Sequence, residues 1–168
     1  RSDSGNNIYR WIGNTWQQIP GNAIDIAVGA DGTVWSLSMS NSPQKYIFSS
    51  GKWSAISGAG TNIAVDPKGL VWVVNVENEI WRQTSYRWNK LYDSATDIAV
   101  GADGSVFVVG RNALPGGYGV WKRLHESDSW ALVSEYHGAV RIAADSYGNP
   151  WIVDNNNHIY RWNNQTNK

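Results

Sequence analysis

One string is written four times along this chain, and it constrains the fold more than any other feature. It first reads Ile24-Asp25-Ile26-Ala27-Val28-Gly29-Ala30-Asp31-Gly32-Thr33-Val34-Trp35. It returns as Asn62 to Trp72, as Asp97 to Phe107 and as Arg141 to Trp151. A second tryptophan runs ahead of each copy, at 16, 53, 88 and 130. A third element is apolar-aromatic-basic or close to it: Ile8-Tyr9-Arg10, Tyr46-Ile47-Phe48, Ile80-Trp81-Arg82, Val120-Trp121-Lys122 and Ile159-Tyr160-Arg161. Three registers moving together with a period of about 40 residues define a repeat architecture.

Each unit reads as four short strands. Val, Ile, Trp, Tyr and Thr dominate, with 11 Trp and 17 Gly in 168 residues, which is strand and turn composition and leaves no room for long helices. Asp31-Gly32 and Asp103-Gly104 are hairpin signals. In Val71-Trp72-Val73-Val74 both alternating faces are apolar, so the sheet must be sandwiched between others. The expected fold is all-β: a β-propeller of four blades, one domain over 1–168, with units near 8–46, 47–80, 81–120 and 121–161. The strand count is odd, because the Ile-Tyr-Arg element occurs at both Ile8 and Ile159 and the two copies compete for one place in a closed ring. Three arrangements satisfy this: a segment of a larger propeller, an unused terminal strand, or a ring closed through another chain. The first is the expected one.

Several function classes are excluded. Fourteen Lys+Arg balance fourteen Asp+Glu, so no basic footprint for nucleic acid exists. No apolar run approaches the ~20 residues of a membrane helix, so no membrane insertion is expected. No cysteine is present, which removes thiol catalysis and Cys-ligated zinc. His125, His137 and His158 fall in different units, and no nucleophile–base pair recurs, so no enzyme activity and no cofactor is expected. Each Asp-Gly-type turn offers a single carboxylate (Asp31, Asp66, Asp103, Asp145), too few for a metal.

The periodic aromatics are expected to pack between blades. Those that break the period are the candidates for contact with a ligand: Tyr92, Tyr118, Tyr136 and Tyr147, read as loop or turn residues. Tyr92 and Tyr136 precede an Ile-Ala strand in equivalent loops at one rim. Asp25, Asn62, Asp97 and Arg141 share one register at the start of the expected innermost strand. They can bond a sugar hydroxyl or tie one blade to the next. Asn75 and Asp154 form a second equivalent pair that turn capping also explains. Arg111 to Gly119 reads as an inserted surface loop, and Asn164-Gln165-Thr166 is a glycosylation sequon.

The order Trp-x-x-(Ile/Val/Leu), a short loop, Ile-Ala-Val-Gly-x-Asp-Gly-x-Val-Trp and then Ile-(Tyr/Trp)-Arg resembles the tectonin repeat over nearly the whole chain. Ala144 and Pro150 depart from it in the fourth unit. The resemblance implies a propeller, most often six-bladed. It implies a lectin that binds glycans or lipopolysaccharide in innate defence or at cell surfaces, or else a protein-interaction module. On that basis the expected partners are glycans or glycoconjugates, met multivalently, with a secreted or cell-surface setting favoured. A scaffold for another protein is the alternative, and a further chain or an oligomer could complete the ring.

Overall fold

The structure is a computed structural model that describes residues 5–85, 87–124 and 128–162, with the backbone alone for Tyr92. His125 and the sequon lie outside the described residues. Among the described residues seventeen strands form five antiparallel sheets. The first sheet pairs β1 (Asn7–Ile12) with β2 (Thr15–Asn22). Three four-stranded blades follow. The first holds β3 (Asp25–Val28), β4 (Val34–Leu37), β5 (Pro43–Ile47) and β6 (Lys52–Ala55). The second holds β7 (Asn62–Val65), β8 (Val71–Val74), β9 (Glu79–Gln83) and β10 (Trp88–Ser94). The third holds β11 (Asp97–Val100), β12 (Val106–Leu114), β13 (Gly117–Leu124) and β14 (Ser129–Leu132). The last sheet has β15 (Arg141–Ala144), β16 (Pro150–Val153) and β17 (Ile159–Arg161). Strands follow chain order within every blade. The inner strands β3, β7, β11 and β15 lie side by side. This is the four-bladed β-propeller arrangement that the repeat predicts.

The core sits between blades rather than inside any one of them. Trp35, Leu37, Ile63, Val65, Val71 and Val73 fill one seam, and Trp72, Val74, Ile80, Ile98, Val106 and Val108 fill the next. A third, smaller cluster joins Val109, Val120 and Ala139. The periodic aromatics therefore depend on a neighbour. Trp72 is 2% exposed and Phe107 fully buried, whereas Trp16 is 63% and Trp151 41% exposed at the two ends of the arc. The copies are alike; what differs is whether a blade covers them.

The chain reverses between inner and second strands by a three-residue loop. Gly29 N–H donates to Thr33 O at 2.8 Å, Gly32 N–H donates to Gly29 O at 2.9 Å, and Gly32 has φ +82°. Gly69 and Gly148 repeat this turn, and there a Cβ would also run into Asp31 or Asp103 of the preceding blade. Turn glycines are thus the contact by which adjacent blades abut on this face.

Two expectations are corrected. In the first complete blade the third register is Pro43-Gln44-Lys45, not Tyr46-Ile47-Phe48. Lys45 pairs with Trp35 as Arg82 pairs with Trp72 and Lys122 with Phe107. Each cation lies over the ring it faces, at 5.3 to 5.6 Å. Proline and glutamine in place of an apolar-aromatic pair hid the alignment, and the aromatic run just after it was a decoy. The second correction concerns Arg111 to Gly119, which is no free loop. It lengthens the β12–β13 hairpin and clasps the last blade. Tyr118 and Ala139 exchange backbone hydrogen bonds at 2.9 and 2.8 Å, and Asn155 N–H donates to Gly116 O at 2.8 Å. The clasp needs bare backbone, because a Cβ on Gly117 would stand 2.4 Å from Ala139 O.

Candidate functional site

Strand direction sorts the candidates. Every inner strand starts at the same face as the end of the second strand, the β12–β13 extension and the loop entering the next blade. Asp25, Asn62, Asp97, Arg141, Tyr92, Tyr118 and Tyr136 consequently all belong to one face of the propeller. They do not form one cluster on it.

The inner row is a chain of ties between blades. Asp25 Oδ2 accepts the N–H of Ile63 at 2.9 Å. Asn62 Nδ2 donates to Asp97 Oδ1 at 3.0 Å. Asp97 Oδ2 accepts the N–H of Ile142 at 2.9 Å and meets Arg141 Nε at 3.2 Å. Each bond runs from one inner strand to the next. Burial pushes the Asp25 and Asp97 carboxyls above the usual carboxylate range, although backbone N–H donors and Arg141 pull the other way. Asn62 and Asp97 are buried, so their polar atoms serve the ring. Arg141, at the end of the row, keeps an exposed side chain.

The tyrosines divide. Tyr136 is 78% exposed in the loop entering β15, and Tyr147 is exposed in the turn before β16. Tyr118 and Tyr92 lie within strands β13 and β10 rather than in loops, because both hairpins run longer than the repeat suggests.

A different set of residues makes a recurring slot at this face. The third-strand aromatic and the outer-strand tryptophan of one blade wall it, and the loop from the preceding blade closes it. In the second complete blade it is small, about 200 Å³, between Trp81, Trp88, Val73, Asn75 and Gly58. In the third it widens to about 420 Å³ between Trp121 and Trp130, with Asp93, Ser94, Arg111 and Asn112 on its rim. The indole is held in place in both. Trp81 Nε1–H donates to Glu79 Oε2 at 3.1 Å, and Trp121 Nε1–H donates to Asn112 Oδ1 at 2.9 Å. Glu79 stays below the usual range because Lys90, Asn75 and Trp81 all donate to it. Gly110 lets Trp121 lie across the second strand, since a Cβ there would be 2.8 Å from the indole nitrogen. The last blade carries the equivalent cleft, about 700 Å³, lined by Tyr136, His137, Ile152, Tyr160 and Trp162. His137 stacks on Tyr160 at 5.3 Å.

Sequence reasoning placed Tyr92 and Tyr136 in equivalent loops at one rim, and of these Tyr136 lines the cleft of the last blade. It missed Asp93, Arg111 and Asn112. The signal for Arg111 and Asn112 was the insertion itself: extra residues in one repeat only, two of them able to hydrogen-bond beside a tryptophan. Among the described residues no group of three or more His, Cys, Asp or Glu could hold a metal ion, and no helix is long and apolar enough to cross a membrane.

The Tectonin domain model matches residues 1–67 and 39–114. Tectonin-2 of Physarum polycephalum is 50% identical over 34 residues, which is 20% of this chain and 10% of that protein. Among solved structures, a structural-genomics protein of unknown function from Bacteroides thetaiotaomicron superposes with a TM-score of 0.64 at 12% identity, over 95% of this chain and 54% of that one. The structure described as YCF48 bound to D1 peptide superposes with a TM-score of 0.57 at 14% identity, over 91% of this chain and 55% of that one. The chain thus spans a tenth of the curated relative and about half of each structural neighbour.

Proposed function

Because the chain belongs to the tectonin family, we propose that it is a non-enzymatic propeller lectin and that the slots between blades take carbohydrate. The observation that carries this reading is the slot of the third complete blade. Two tryptophans, one oriented by Asn112, flank a recess whose rim offers Asp93, Ser94, Arg111 and Asn112. A pyranose ring has the matching chemistry: an apolar face for an indole and a hydroxyl edge for carboxylate, amide and guanidinium. The slot of the second blade is a narrower version with Asn75 at its mouth. Several weak sites on one rigid arc favour multivalent surfaces through effective concentration. Such surfaces are glycoconjugates of cells or microbes, which suits a secreted or cell-surface setting and a role in innate defence. The inner polar row is assigned to holding the blades, with the exposed Arg141 and Tyr136 left to contact ligand at the far end of the arc.

A glycan array with the purified chain tests this, using methylated sugars and bacterial lipopolysaccharides among the probes. Arg111→Ala should weaken the best hit by roughly 10- to 100-fold, the cost of a charge-assisted hydrogen bond. It should leave the unfolding midpoint unchanged, since Arg111 is exposed. A blank array from a folded chain would turn the reading to a protein-binding scaffold. That second reading has one observation in its favour: the fold neighbour YCF48 is described as bound to a peptide.

A further inference from the structure

We propose that Asp93 sets the slot of the third complete blade apart as the principal ligand site. Its Cβ keeps the entering loop off Trp130, and its carboxylate accepts two adjacent free hydroxyls of a sugar ring. The sugar contact rests on the carbohydrate reading above, whereas the opening of the slot by Asp93 stands without it.

The first two blades show how an outer-strand tryptophan is closed off. Trp53 Nε1–H donates to Pro20 O at 2.7 Å, and Trp88 Nε1–H donates to Ser57 O at 2.6 Å. The residue after each acceptor is a glycine with a left-handed backbone, Gly21 at φ +106° and Gly58 at φ +128°. Both glycines lie flat against the ring. A Cβ on Gly21 would stand 3.1 Å from Trp53 Cδ1, and one on Gly58 would stand 3.1 Å from Trp88 Nε1. The loop can give its carbonyl to the indole because nothing but backbone comes between them.

Asp93 holds this place in the third blade. Gly21, Gly58 and Asp93 each follow an outer tryptophan (Trp16, Trp53, Trp88) by the same interval. Each also stands two residues before an equivalent backbone bond: Ala23 N–H to Asn6 O, Gly60 N–H to Asn41 O and Ala95 N–H to Asn78 O, at 3.0, 2.9 and 2.9 Å. Asp93 brings a Cβ and a carboxylate where the others have neither. It is not among the described non-glycine residues of positive φ, so the loop takes another path. That path is the register shift of β10 between Lys90 and Ser94, a local irregularity of the kind that re-aims side chains beside binding sites. Among the described residues no carbonyl receives the Trp130 indole N–H. The slot grows accordingly, from about 200 Å³ beside Gly58 to about 420 Å³ beside Asp93.

The same substitution supplies the chemistry. Asp93 is exposed and lines the recess, and no ion pair among the described residues joins it to Arg111 on the same rim. A carboxylate has two oxygens that only accept, the match for two neighbouring hydroxyls that donate. Arg111, Asn112 and the freed Trp130 N–H donate to the ring's other oxygens, and the indoles take its apolar face. An O-methyl group in place of either hydroxyl proton removes a donor to Asp93 and leaves a charge facing a methyl.

Two variants separate the bulk of Asp93 from its charge. Asp93→Gly restores the residue of the first two blades, and Asp93→Asn keeps the Cβ while removing the charge. Solvent exchange of the Trp130 indole N–H, followed by NMR and assigned through Trp130→Phe, reads the slot with no sugar present. It should slow by at least about tenfold in Asp93→Gly, as a hydrogen-bonded N–H does, and keep the parent rate in Asp93→Asn. An array of hexosides, each with free hydroxyls and O-methylated at one hydroxyl in turn, reads the ligand. Either variant should weaken the best hit by roughly tenfold or more, and so should methylation at either hydroxyl of one adjacent pair. Unchanged Trp130 exchange in Asp93→Gly overturns the proposal whatever the array shows. Full binding by Asp93→Asn also overturns it, as does a best hit that tolerates methylation at every hydroxyl. A blank array from the folded parent chain, with exchange slowed as expected, defeats the carbohydrate reading and the hydroxyl contact together, and upholds Asp93 as the residue that opens the slot.

Discussion

Asp97 and Asp145 are both carboxylates in the same repeat family, and their surroundings move them in opposite directions. Asp97 is buried between inner strands, so loss of water lifts its carboxyl above the ordinary value of 3.8. Asp145 sits in the turn before β16, where the N–H of Asn149 donates at 2.9 Å, that of Tyr147 at 2.9 Å, and Arg161 approaches to 3.1 Å. The two backbone donors, with the Asn149 amide and the Trp151 indole, hold it well below the carboxylate range. The signs follow by linkage. Stability from Asp145 is fully present above 3.8 and is lost as pH falls through its folded value. For Asp97 the folded state favours the proton, so its contribution is greatest in acid and declines as pH rises past 3.8. Asp145→Asn keeps an oxygen for the two backbone donors and removes the titrating charge. The urea midpoint of that variant should fall less between pH 5 and pH 2 than that of the parent chain (roughly the window of a carboxylate with a depressed folded pKa); an identical pH slope would refute the assignment.

Among the elements, the turn between inner and second strands carries the contact from blade to blade. Gly32 and Gly69 both need a left-handed backbone, at φ +82° and +77°. Only Gly69 is also pressed by its neighbour, since a Cβ there would lie 2.3 Å from Asp31 Oδ2, while nothing lies within 4 Å of one on Gly32. Gly32→Ala should therefore cost about 1 kcal/mol through backbone strain alone. Gly69→Ala should cost at least about 2 kcal/mol, because the blade contact must also give. Equilibrium urea unfolding of the two variants separates these cases. The same turns were legible in the sequence as Asp-Gly and related pairs, but their abutment was not. Which turn faces which is set by the stacking of blades, and no local pattern encodes it.

For the whole molecule, burial rises toward the middle of the arc and falls at both ends. β8 is buried along its length and β12 through Val109, whereas β17 is exposed at every residue. Amide exchange of dilute protein should follow this gradient. The slowest amides should fall in β7, β8, β11 and β12, and the fastest strand amides in β1, β2 and β17. Uniform protection along the arc would contradict a stack held together by seams.

Much of this protein was determined by its sequence alone. Strand alternation, the tryptophan period and the turn residues are local or periodic, so they dictated an all-β propeller built on four copies of the repeat and the inner row from Asp25 to Arg141. The surplus Ile-Tyr-Arg copy was visible too, as a strand without a place. Tertiary structure decided the rest, because it depends on who sits beside whom. It turned Asp25, Asn62 and Asp97 into ties between blades, made a clasp of the Arg111 insertion, and moved the true third register of the first blade onto Pro43-Gln44-Lys45. It also distinguished a buried tryptophan from an exposed one at equivalent positions. Trp72 and Trp151 occupy the same place in their repeats, and only the presence of a covering blade separates core from open surface.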